Sequence, residues 1–312
     1  MNRVVFYPIA FILLLLTLIC FAPIHTAADM GICVSSPNLW HIPRFGGWLL
    51  NSILIFLSVA IMASANKKYN FIPEAEPVMS MSLALLLACN SLTTATLSAS
   101  TLMLFANVLC LFIILSTYEE MNATREFFII GTLPAIGAMF QCAFVMMIPV
   151  YIGGGLLMKS FRLRELIAFI FGLVTPYWIA LGLGMVSPDA FRMPEILTVF
   201  HSVKVGERLT FTLVTACTMG GIGLICALYN AVRLFNRNSR LRCMHSTFNL
   251  MGAMALLGLI FDFNNFPAYF GTIALWFAIE VAALFNLYNI RYIQALLAGI
   301  LLLFLPFYFL DL

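Results

Sequence analysis

Glu280 is the only acidic residue deep inside an apolar run of this chain. A carboxyl group within a bilayer is costly and marks function by default. It could carry protons, pair with a basic group from another helix, or donate a hydrogen bond while neutral. Asp29 stands near the start of a polar segment over 22–46, with His25 four residues before it and His41 after it. On a helical extension His25 and Asp29 share one face. A second polar segment, 187–207, carries Glu195 and His201. Asp29 is the candidate catalytic acid, and His25, His41, Glu195, His201 and Glu280 are candidate substrate contacts. The spacing of these histidines and acids matches no ordinary metal-ligand pattern, so no metal site is assigned. No P-loop, GxSxG, HExxH or dinucleotide fingerprint is present.

So few ionisable groups follow from the composition. Of 312 residues, 63% are hydrophobic and 9% are charged. Soluble domains carry roughly 25% charged residues. The apolar residues come in long runs such as Phe11–Phe21 and Ile300–Leu310, not in the alternation of a β-barrel. The fold class is therefore all-α, a polytopic transmembrane bundle in a single membrane domain over 1–312. A net charge of +3 from scattered residues excludes nucleic acid as a partner and leaves membrane lipids.

Eleven spans are predicted, near 4–22, 47–65, 77–92, 98–117, 126–141, 143–158, 166–186, 208–233, 247–262, 267–288 and 292–310. The apolar run from Val4 to Phe21 exceeds a secretory core of about 7–15 residues, so it reads as a retained first helix. The fifth and sixth spans are short and hold Pro134 and Pro149 around a break at Gln141, which points to a partly sunken hairpin. With the N-terminus inside, twelve of the sixteen basic residues fall in cytoplasmic segments, which gives an N-in, C-out map. The firmest marker is Arg233–Arg242, with four arginines and no acid. Within 187–207, Pro194 and the spacing of Ile196, Leu197, Phe200 and Val203 predict a short interfacial helix on the outer face. Asn51, Asn107, Gln141 and Asn230 read as polar ties between helices. None of the eight cysteines forms a CxxC pair, and most sit in apolar runs.

The layout resembles the GT-C class of integral-membrane glycosyltransferases over roughly 1–210, with further helices over 211–312. The carriers are Asp29 after the first span, the tight pair formed by the third and fourth spans, and Arg125–Pro134. The short basic loop Arg162–Glu165, Pro176-Tyr177-Trp178 and the long outer loop complete them. It also resembles a family of bacterial polytopic membrane proteins that carries no activity over to this chain. The class implies polyprenyl-linked glycan as substrate, a bacterial inner-membrane location, and Asp29 as acceptor-activating base or as ligand of a divalent metal. The second acid of the class is missing, because Asn90–Ser100 contains none, which fits a divergent or inactive relative. Two other readings stand beside this one: a non-catalytic scaffold or subunit of an envelope assembly, and a transporter or flippase using Glu280.

Overall fold

The computed structural model describes residues 44–72, 76–88, 90, 93, 97–184, 207–234, 238–285 and 299. Expected spans over 4–22 and 292–310 lie outside the described residues, apart from the single position 299, as does the interfacial helix over 187–207 up to its last residue. The described chain forms helices α1 (Arg44–Tyr69), α2 (Glu76–Ala88), α3 (Ala99–Ser116), α4 (Thr124–Phe140), α5 (Ile148–Leu157), α6 (Leu163–Gly182), α7 (Glu207–Leu234), α8 (Ser239–Phe261) and α9 (Phe266–Phe285). It contains no strand among the described residues. Six helices, α1, α3, α6, α7, α8 and α9, are long and apolar enough to cross a membrane.

The remaining three are short for physical reasons visible in the sequence. α2 has 13 residues, about 20 Å of helix against a hydrocarbon core of about 30 Å. It ends at Ala88, before Asn90 and Thr93: Thr93 Oγ1 donates to the carbonyls of Leu87 and Asn90 at 2.7 and 2.9 Å, and Asn90 Nδ2 reaches Thr212 Oγ1 at 3.4 Å. The break expected at Gln141 is real. Its backbone is extended (φ −151°, ψ 130°), and a 3-10 segment, Cys142–Met147, follows before α5. Pro149 does not interrupt a helix; it sits in the first turn of α5, where its missing N–H costs nothing.

α9 is the axis of the bundle. In its most apolar stretch 94% of residues are buried, against 28% for α1 and for α6. It packs against α2, α3, α7 and α8. The outward faces of α1, α6 and α7 carry large apolar side chains such as Phe56, Phe171, Trp178 and Val232, as lipid-facing helices do.

α6 is held mainly by α4. The two helices touch backbone to backbone at Gly131 and Gly172. A Cβ on Gly131 would collide with the Phe169 carbonyl oxygen, and one on Gly172 with the Phe128 carbonyl oxygen. Small residues permit this approach where dispersion, rather than the hydrophobic effect, joins helices.

Most of the described basic residues gather at one end; Arg44 and Arg208, in the first turns of α1 and α7, stand at the other. Lys68 Nζ lies 5.3 Å from the Phe112 ring centroid, and the Arg240 guanidinium lies 5.9 and 5.7 Å from the rings of Tyr69 and Tyr118. Glu119, next to Tyr118, pairs with Lys159 at 3.0 Å. The Lys159 ammonium holds the Glu119 carboxyl below its usual range. Both side chains are more than half exposed, so Lys159→Ala is expected to leave the midpoint of denaturant melts almost unchanged.

Candidate functional site

Four side chains on α9 step up one face of the central helix, and each meets a polar partner. Tyr269 donates its hydroxyl to Asp262 Oδ2 at 2.9 Å. Thr272 Oγ1 accepts from Asn107 Nδ2 of α3 at 2.8 Å. Trp276 Nε1 donates to Asn249 Oδ1 of α8 at 3.1 Å. Glu280 receives Asn230 Nδ2 of α7 at both its side-chain Oε2 and its backbone carbonyl, each at 2.8 Å. The spacing 269, 272, 276, 280 follows the helical repeat, so one face of α9 is stitched to three neighbouring helices.

The four amides read from the sequence as ties do join separate segments. Asn51 Nδ2 donates to the Thr93 carbonyl at 2.6 Å, and Gln141 Nε2 to Asn265 Oδ1 at 3.3 Å. Asn107 and Asn230 make the two bonds to α9 already described.

Glu280 occupies the chemically distinct position. It is fully buried, and His245 of α8 is 3% exposed beside it. His245 Nδ1 faces Glu280 Oε1 at 3.8 Å. His245 Nε2 stands 3.3 Å from the carbonyl oxygen of Phe71. Phe248 packs edge-on to the imidazole, with centroids 5.8 Å apart. Asn230 Oδ1, His245 Nδ1 and Glu280 Oε1 are all buried without a hydrogen-bond partner.

That geometry constrains the protons. A carbonyl only accepts, so Nε2 of His245 must carry hydrogen. A neutral imidazole then presents a lone pair at Nδ1. An ionised carboxylate presents another directly opposite, and burying such a pair of acceptors is costly. One proton relieves the conflict. On Glu280 it makes an O–H aimed at Nδ1; on His245 it makes an imidazolium beside a carboxylate. The gap of 3.8 Å exceeds a hydrogen bond.

By helical rise the centre lies about 10 Å inside the end that carries the basic residues. Glu280 is one to two turns from the last described residue of α9, and His245 is two turns into α8.

His245 was not among the candidate residues. The sequence places the ninth span at 247–262, with Arg240 and Arg242 in a loop. The helix begins at Ser239 instead, with both arginines on its first turn, where their long stems reach the aqueous end. The signal was present: His245, Phe248, Gly252, Ala255 and Leu259 form one buried stripe at helical spacing. Asp29, His25, His41, Glu195 and His201 lie outside the described residues. Among the described residues no three His, Cys, Asp or Glu side chains gather as a metal site would require.

No protein-family model, curated protein or solved structure matches the chain.

At the opposite end of the bundle Asp262 accepts from Tyr269 and from Asn265 Nδ2, each at 2.9 Å. Burial still pushes its carboxyl above the ordinary value of 3.8, outweighing those two donors. A raised acid binds its proton more tightly in the folded state, so it stabilises below its folded pKa and loses that contribution as pH rises. Thermal melts from pH 3.8 upward should show this decline in the wild type. Asp262→Asn should flatten it, and an unchanged slope in the variant would assign the decline to another group.

Proposed function

We propose that the chain is a multi-pass membrane protein whose working centre is the proton held between His245 and Glu280. Protonation there is coupled to movement of a solute or lipid through the bundle, as in a secondary transporter or flippase. The observation that carries the reading is the pair of opposed, unpartnered acceptors Glu280 Oε1 and His245 Nδ1, buried on three converging helices. Ionisable groups of this kind inside membrane proteins serve as proton relays and substrate sites. In this reading the eleven-span, N-in, C-out arrangement in a bacterial inner membrane holds. The centre then lies near the cytoplasmic face, one to two turns from water.

Glu280→Gln is the decisive substitution. Glutamine keeps the shape, accepts from Asn230 and donates its amide N–H to His245 Nδ1, but it holds no exchangeable acid proton. The variant is expected to insert and fold like the wild type and to leave cells lacking the gene uncomplemented, measured on growth and on the profile of exported solutes and lipids. Full complementation by Glu280→Gln sinks the reading. The same experiment with Asp29→Ala separates it from a GT-C-like activity on polyprenyl-linked glycan, which depends on Asp29 and not on Glu280. A scaffold would tolerate both substitutions.

A further inference from the structure

We propose that the groove between the first turns of α4 and α6 binds an anionic phospholipid, with the phosphate at Arg125 and Arg164 and an acyl chain lying along Phe128, Ile167 and Phe171. The groove is a shallow, open cleft of about 810 Å³ whose lining surface is almost wholly apolar, with Arg125 and Arg164 at its head. Its shape follows from the Gly131–Gly172 crossing. The helices touch there, and both begin at the basic end, so they part toward their N-termini. Every groove residue precedes the crossing on its own helix.

The head of the groove is built for an anion. Arg125 stands in the first turn of α4 and Arg164 in the first turn of α6. Neither arginine pairs with a carboxylate among the described residues. Arg164 Nη1 reaches only the neutral Asn122 Oδ1, at 3.4 Å. Glu165, the acid on α6, is buried and accepts the backbone N–H of Arg162 at 3.2 Å, so it is engaged at its own helix start. Ala123 at the cap of α4 contributes no side-chain acceptor to the helix N-terminus, and Glu126 is the acid in its first turn. Two guanidinium groups in neighbouring first turns match a phosphate.

The walls identify the rest of the ligand. Phe128, Ile167 and Phe171 are 37%, 48% and 64% exposed on the outer surface of the bundle. A soluble phosphate compound gains nothing from such walls, whereas a lipid already resident in the bilayer matches both the charged head and the apolar slot.

Native mass spectrometry of the detergent-purified full chain with added phosphatidylglycerol tests this. Wild type is expected to retain a tightly bound lipid, and Arg125→Gln/Arg164→Gln to bind it roughly tenfold to thirtyfold more weakly. Diacylglycerol, which has the chains without phosphate, and glycerol phosphate, which has the phosphate without chains, should both bind poorly. Arg240→Gln/Arg242→Gln removes the same charge from the same end outside the groove and should leave binding unchanged. Equal retention by the groove variant, equal loss in the Arg240/Arg242 control, or equal binding of diacylglycerol would each overturn the proposal. Matching far-UV circular dichroism and elution volume for the two double variants keeps misfolding from mimicking the expected loss.

Discussion

Glu280→Ala is expected to lose about 3–5 kcal/mol of stability, whereas Glu280→Gln loses about 1 kcal/mol or less. The difference follows from what each leaves behind. Alanine keeps the backbone carbonyl, so Asn230 Nδ2 retains one acceptor at 2.8 Å. It removes the carboxyl group opposite His245, leaving the imidazole facing a cavity in a helix that is buried on every side. Glutamine fills the space and bonds both neighbours. Denaturant or thermal unfolding in detergent measures the gap. A double-mutant cycle sharpens it: His245→Leu with Glu280→Leu should cost less than the sum of the single changes, because each single change strands the other polar group. Additive losses would mean that the two side chains do not interact across their 3.8 Å separation.

The second large effect is expected at the crossing of α4 and α6. Gly172→Val places a branched side chain against the Phe128 carbonyl, which is helix backbone and cannot turn aside. Overpacking of this kind costs about 1–3 kcal/mol in a core that can adjust. Here the helices must separate instead. Most of the outer surface of α6 faces lipid, and α4 is its main partner, so the loss concentrates on one helix. Hydrogen exchange should show faster exchange over 163–182, while α9 keeps its protection. Uniform loss of protection across the bundle would show that α6 is not a separable unit. The same variant should weaken phospholipid binding, since the crossing shapes the groove.

Helix class, the polar breaks and the residues that tie helices were legible in the chain. Long apolar runs leave helices as the way to satisfy backbone groups in lipid, and asparagine or glutamine in such a run must find a partner on a neighbour. Asn51, Asn107, Gln141 and Asn230 all do. The exceptional status of Glu280 was equally plain, because a lone carboxyl in an apolar run needs an explanation wherever it points.

What the order of residues did not disclose was the partner. His245 lies 35 positions before Glu280, and Phe71 a further 174 before His245. Which faces of α7, α8 and α9 meet is decided by the fit of side chains and by small residues such as Gly252, whose missing Cβ makes room for the Trp276 ring. Hydropathy marks the arginines at 240 and 242 as aqueous and so misplaces the start of α8, because it does not register that long basic side chains reach water from within a helix. Charge scarcity alone narrowed the candidates to a handful of residues. Only the packing of α7 and α8 against α9 set Glu280 opposite a second acceptor, and that juxtaposition is a property of the tertiary structure.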